Sequence, residues 1–207
     1  MNEITAITPQ VKDKTRCNIY IDGRFYCGLT IETVIKNRLK IGQTVSLEEL
    51  ENAQLESEKN TALDKALNHI SATRKTEKQV RDFLVKKGYL PTVIDFVIEK
   101  MRGYGFLDDN EYAEAYVGFA SSKKGSRLIR MELKSKGVSE EYIEGALDSV
   151  DEKTQVETAK EILRKYMRGK ESTRENLQKA YRYLMGKGFD YEVAKTALAE
   201  FGDIEEN

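Results

Sequence analysis

Lys123, Arg127, Arg130 and Lys134 recur at spacings of four, three and four. On an α-helix, which turns about 100° per residue, those spacings collect four positive charges in one narrow stripe opposite Ile129 and Leu133. With Lys124 beside it, such a stripe can neutralise phosphates or dock on an acidic partner. Shifted back by 49 positions it recurs in part as Arg74, Lys78 and Arg81. Further along the chain it weakens: Arg174 matches, but Gln178 and Tyr181 hold the next two places. Two readings compete. One is a solvated helix face; the other is a polyanion-binding surface, favoured by the recurrence, because stacked units would align their stripes. Acidic residues gather elsewhere, in Glu140, Glu141, Glu144, Asp148, Asp151 and Glu152 and at the tail in Asp203, Glu205 and Glu206. The net charge of −1 therefore reads as a cancellation between segregated faces.

Other chemistry is absent from the pattern. His69, the only histidine, lies between Leu67 and Ile70 on an amphipathic stretch and reads as a packing residue. No Walker loop, dinucleotide fingerprint or nucleophile elbow occurs, and Gly103-Tyr104-Gly105-Phe106 lacks the strand-to-helix setting of a phosphate loop. Asp108-Asp109 before Glu111 reads as helix capping rather than a metal site. Cys17 and Cys27 flank an Asp22-Gly23 hairpin turn, which places the thiols on opposite faces of the ribbon and disfavours a disulfide. With one histidine, zinc has too few ligands. The expectation is a non-enzyme with no cofactor and no metal. Tyr104, Phe106, Tyr112, Tyr116 and Phe119 could stack bases, but most lie at helical spacing and read as core. No apolar run approaches the roughly 20 residues needed to span a bilayer. A cytoplasmic protein with no membrane partner, acting as a monomer, is expected.

The elements that must position the stripe form an internal repeat. Lys87-Gly88, Lys136-Gly137 and Lys187-Gly188 open the same word three times, the glycines 49 and 51 positions apart. Four residues before each glycine lies Leu84, Leu133 or Leu184, and eight before lies Val80, Ile129 or Ala180. After it come Val97-Ile98, Ala146-Leu147 and Ala197-Leu198. These spacings define apolar helix faces, with each glycine reversing the chain between two helices. Thr76-x-x-Gln79 and Ser172-x-x-Glu175 have capping-box form, and Ser139 and Asp190 are candidate N-caps. The first thirty residues are rich in β-branched and aromatic side chains and read as strands. A helix from Thr30 to about Leu39 and a connecting helix from Ser46 to about Lys59 follow. The fold expected is mainly α: tandem three-helix repeats in an elongated curved array, with a small β-rich N-terminal module. The divisions are 1–58 for the module and connecting helix, then repeats at 59–105, 106–150 and 151–207.

Gly105-Phe106-Leu107-Asp108-Asp109-x-x-Tyr112-Ala113-x-x-Tyr116-Val117 and Gly125-Ser126-Arg127-Leu128-Ile129-x-x-Glu132-Leu133-x-x-Lys136-Gly137-Val138 resemble the RecX family, bacterial modulators of the RecA recombinase. Ala66-Leu67-x-x-Ile70-Ser71 and Arg74-Lys75-x-Glu77 resemble the family's opening. The likeness covers about residues 61 to 200, and the β-rich start is similar to an extension in some Gram-positive members. Phe119-Ala120 departs from the arginine that many members carry there, which removes that spot from the expected contacts. The resemblance implies a non-enzymatic protein that binds the RecA–DNA filament in its groove and inhibits ATP hydrolysis, strand exchange and repressor self-cleavage. Single- or double-stranded DNA would be met directly or through RecA. The contact residues expected are Lys123, Lys124, Arg127, Arg130 and Lys134, and secondarily Arg74, Lys78 and Arg81. The alternatives are a low-specificity DNA-binding repeat protein independent of RecA, and a protein scaffold.

Overall fold

The structure, a computed structural model, describes residues 2–202, so Asp203, Glu205 and Glu206 of the acidic tail lie outside the described residues. The chain divides into two compact units, residues 1–74 with 80–106 and residues 75–79 with 107–207.

In the first unit β1 (Ile4–Pro9), β2 (Arg16–Ile21) and β3 (Arg24–Thr30) form an antiparallel sheet in that order. Asp22 and Gly23 both take positive φ, 48° and 79°, as a two-residue hairpin matching the twist of its strands requires. Beyond the turn the register slips. Tyr20 pairs with Phe25 but Ile19 pairs with Cys27, so Tyr26 is the extra residue of a bulge. That slip overturns the expected placing of the thiols on opposite faces: Cys17 and Cys27 are buried in one core with Ile4, Ile19, Leu29 and Leu50. Both remain free thiols, and burial pushes Cys27 up to about 11.

Thr30 caps α1 (Ile31–Lys36), its Oγ1 accepting from the Thr33 amide at 3.2 Å. The helix stops short of Leu39 because Arg38 turns to φ 52°. α2 (Leu47–Ile70) starts in a complete capping box: the Glu49 amide donates to Ser46 Oγ and the Ser46 amide to Glu49 Oε2. It runs for 24 residues without interruption, straight through position 58, because no glycine or proline intervenes. Small buried residues, Ala53, Ser57, Ala62 and Ala66, let neighbours approach it closely, and Ser57 Oγ accepts the Thr30 amide at 2.8 Å. α3 (Glu77–Lys86), from Val80 onward, and α4 (Pro91–Gly103), the latter opened by proline where no amide is needed, complete the unit. His69 stacks on Phe83 with ring centroids 4.0 Å apart, a packing role as expected.

The second unit holds α5 (Asp109–Ala120), α6 (Ser126–Ser135), α7 (Glu140–Leu147), α8 (Glu152–Met167), α9 (Arg174–Gly186) and α10 (Tyr191–Leu198). Asp108, Ser139 and Asp151 cap α5, α7 and α8 through their side chains. The Ser172–Glu175 box does not form; Thr173 takes the cap and accepts the Asn176 amide at 3.3 Å. Asp190 stands at the cap of α10 without a side-chain bond. The periodic residues are where the spacing put them: Val80, Leu84, Ile129, Leu133, Ala180 and Leu184 are all fully buried.

Gly88, Gly137 and Gly188 have φ of 85°, 88° and 86°. After each, an amide returns to the carbonyl of the matching leucine: Tyr89 to Leu84, Val138 to Leu133 and Phe189 to Leu184, each at 3.2 Å. Within the second unit these turns also join one repeat to the next. Gly125 donates its amide to the Lys187 carbonyl (3.0 Å), Arg127 to the Gly188 carbonyl (3.1 Å) and Ser126 to Gln155 Oε1 (3.2 Å). The first turn of α3 repeats the arrangement 49 positions earlier. Thr76 Oγ1 donates to the Lys136 carbonyl (2.6 Å), and the Glu77 amide to Asp109 Oδ1 (2.9 Å). Helix N-termini carry amides with no partner in their own helix, and here the following repeat supplies the acceptors.

Close approach at these joints leaves no room for a side chain. Gly125 has an ordinary φ of −79°, yet a methyl there would overlap the Gly188 carbonyl. Gly125→Ala is therefore expected to lower unfolding free energy by about 1–3 kcal/mol through overpacking alone. Gly103→Ala, in open space on α4, should be neutral or slightly stabilising. Urea titration of the two variants checks this; equal midpoints would contradict the close joint.

Candidate functional site

Six of the eight basic residues expected as contacts fall in the second unit: Lys78 in the first turn of α3, Lys123 and Lys124 before α6, and Arg127, Arg130 and Lys134 on it. Arg74 and Arg81 belong to the first unit. Arg81 pairs with Asp95 at 2.6 Å, and Arg74 is exposed.

The stripe on α6 is more heavily compensated than its spacing implies. Arg130 is bound by Glu140 and reaches Glu144 at 3.3 Å, while Lys134 meets Glu140 Oε2 at 2.6 Å. The segregation of charge expected for Glu140 and Glu144 does not hold here. The Gly137 reversal folds α7 back beside α6 and brings its first-turn acids against the basic stripe. Glu140 is held below the usual carboxylate range by Lys134 and Arg130, and Arg130 is raised in turn by Glu140. Lys124 meets both oxygens of Glu132, at 2.5 and 2.7 Å, and Glu132 Oε2 also accepts from Tyr116 Oη at 2.6 Å. Burial and the Glu132 hydrogen bond raise the Tyr116 phenol, which keeps its proton.

Among the described residues, two cations of the stripe stand apart from the carboxylates. Arg127 Nη2 donates to the neutral Met185 carbonyl at 3.0 Å, which fixes the guanidinium without cancelling its charge. Lys123 is exposed and lies over the Phe119 ring, its Nζ 4.0 Å from the centroid. Phe119 is itself 67% exposed, and Tyr104 and Phe106 are 62% and 51% exposed, so these three are not core as their spacing implied. Ala113, Val117 and Ala120, one position further along α5 than Tyr112, Tyr116 and Phe119, take the buried face. Tyr112 and Tyr116 are half-buried against it.

A cation–ring contact recurs at the glycine turns, twice at i,i+4 spacing and once across two helices. The lysine of each Lys-Gly word lies over a ring: Lys87 over Phe83 at 5.5 Å, Lys136 over Tyr116 at 5.6 Å and Lys187 over Tyr183 at 5.4 Å. The threefold recurrence of that lysine is its signal in the sequence. Among the described residues no His, Cys, Asp and Glu cluster could hold a metal, and no helix is long and apolar enough to cross a membrane.

Four family models match the chain, and their limits follow these elements. Residues 2–46 match the regulatory protein RecX N-terminal domain, and 62–101, 108–147 and 153–198 match the first, second and third three-helix domains of RecX. The chain belongs to the RecX family. A regulatory protein RecX of Clostridium botulinum strain Eklund 17B is 32% identical over 204 residues, 97% of this chain and 96% of the relative. One of Bacillus licheniformis is 31% identical over 97% of this chain and 78% of its own length. A crystal structure of a regulatory protein RecX superposes with a TM-score of 0.71 at 28% identity, covering 93% of this chain and 97% of that one. That of RecX from Lactobacillus salivarius does so at 0.64 and 28% identity, covering 70% and 96%. The first RecX helical domain begins at residue 62, so its first helix is the C-terminal part of α2.

The Glu132 cluster yields a pH test. Burial alone would raise this carboxyl, but Lys124 and Tyr116 outweigh it and the net shift is downward. A lowered folded value means stability that is present at neutral pH and lost as pH falls through it, below the ordinary value of about 4.3. Glu132→Gln should cost about 1–2 kcal/mol at pH 7. It should also flatten the fall of stability between about pH 5 and 3, measured by urea titration at several pH values.

Proposed function

We propose that the protein binds the RecA–DNA nucleoprotein filament and inhibits its recombinase, ATPase and coprotease activities without catalysing a reaction itself. Membership of the RecX family along nearly the whole chain carries this reading. The filament-facing surface is the start of α6. Arg127, fixed by the Met185 carbonyl, keeps its remaining donors for a carboxylate or phosphate, and an anchored guanidinium loses less freedom on binding. Lys123 flanks it, and Lys124, Arg130 and Lys134 exchange Glu132 and Glu140 for the filament's anions at the cost of internal pairs. Lys78, Arg74 and Arg81 are secondary points of attachment. The active species is a monomer in the cytoplasm.

A second reading, direct DNA binding of low specificity without RecA, draws support from Lys123 poised over exposed Phe119. Substoichiometric protein should suppress single-strand-dependent ATP hydrolysis by RecA. The Arg127→Ala, Arg130→Ala pair, with its helix content checked by circular dichroism, should raise the half-inhibitory concentration about tenfold, equivalent to losing one charged hydrogen bond. Absence of suppression by folded wild-type protein, or equal potency of the variant, would contradict the reading.

A further inference from the structure

The first unit contains a groove that belongs to neither the stripe nor the repeat joints. It has a volume of about 540 Å³ and runs between the end of α1, the middle of α2 and the C-terminal part of α4. Its walls follow from helical spacing. Glu56 and Lys59 share a face of α2, and Phe96, Lys100 and Tyr104, four positions apart, share a face of α4. Leu55 and Leu63 provide apolar lining.

Three ammonium groups, those of Lys36, Lys59 and Lys100, line it against one carboxylate. That carboxylate is already engaged: Glu56 is bound by Lys36 and accepts from Asn37 Nδ2 at 3.1 Å. Lys59 and Lys100 instead converge on one ring. Their Nζ atoms lie 4.7 and 5.9 Å from the Phe96 centroid, and Lys100 is also 5.8 Å from that of Tyr104. Tyr104 is mostly exposed at the rim, supported edge-on by Phe106 at 6.1 Å. An excess of positive charge, held within 6 Å of accessible ring surface in a concave site, matches the two halves of a nucleotide.

We propose that this groove binds an unpaired stretch of single-stranded DNA, with a base on the Tyr104 and Phe96 rings and the adjoining phosphates on Lys59 and Lys100. Stacking is indifferent to base identity, so recognition is sequence-tolerant. The volume lies in the range that small-molecule sites occupy, enough for a nucleotide or two and too small for a duplex. An acidic peptide would use the lysines but leave the rings without a role. The inference needs neither RecA nor the α6 stripe, so its failure is separable from failure of the filament reading.

The test is fluorescence anisotropy of the whole chain with labelled dT20 across a salt series, with no RecA present. Wild type should bind with a falling log–log salt slope. Lys59→Ala with Lys100→Ala should reduce that slope by about 1.4, about 0.7 for each single-strand phosphate left unneutralised. Tyr104→Ala, at an exposed position that leaves folding intact, should weaken dT20 binding about tenfold with the slope unchanged, as removal of one stacked base predicts. Binding of a 20-base-pair duplex should be indifferent to Tyr104→Ala. Lack of dT20 binding by wild type, unchanged binding in the groove variants, or weakening confined to Arg127→Ala with Arg130→Ala would overturn the proposal. So would competition by dTMP or polyglutamate at concentrations matching dT20, since the ligand would then be a free nucleotide or an acidic chain.

Discussion

Much of the second unit depends on one interaction, the capping of a helix N-terminus in one repeat by the glycine turn of the next. A helix start leaves amides without partners, and in an array of short helices that deficit recurs at every unit. Here the carbonyls of Lys187 and Gly188 accept from Gly125 and Arg127, and the Lys136 carbonyl accepts from Thr76. The demand on each turn is twofold: a left-handed residue to end its own helix, and no side chain on the surface facing its neighbour. Gly137 and Gly188 meet both, since a methyl on either would strike Lys78 or Leu128. Because the acceptors of Gly125 and Arg127 belong to the following repeat, that joint orders the second and third repeats at once.

The same joint fixes the chemistry that α6 displays. Its first amides are occupied by protein carbonyls, so its N-terminus is not an open anion site, and anions must be met by side chains. Arg127 gains from this, because its guanidinium rests on the Met185 carbonyl of the turn that caps its own backbone. Further along the helix the return of α7 has the opposite effect, offsetting Arg130 and Lys134 with Glu140 and Glu144. The stripe is therefore graded, most available at its N-terminal end and most compensated at its C-terminal end.

The helical repeat is legible in the sequence because its signals are local. Apolar spacing, a reversing glycine and a capping residue each act within a few positions, and the buried leucines and left-handed glycines fall where that logic places them. What is not legible depends on pairings made across the chain. The bulge that carries Cys17 and Cys27 to one face comes from strand pairing around Tyr26, which alternation alone does not reveal. The pairing of Glu140 with Arg130 joins two helices whose charges look separate in sequence. Phe119 looks like core because a helical face can be drawn through it, but small Ala113 and Ala120 allow closer packing and leave Phe119 exposed. The groove of the first unit joins α2 to α4 over about forty positions and carries no local signature.

On the proposed function, the N-terminal end of α6 meets the filament. The most direct test of that contact is a photo-crosslinker on Lys123→Cys, the native Cys17 and Cys27 being buried, with the protein added to RecA filaments assembled on single-stranded DNA. Crosslinks to RecA or to the strand are expected, under conditions where ATP hydrolysis is inhibited. Full inhibition with no crosslink from that position would contradict the contact.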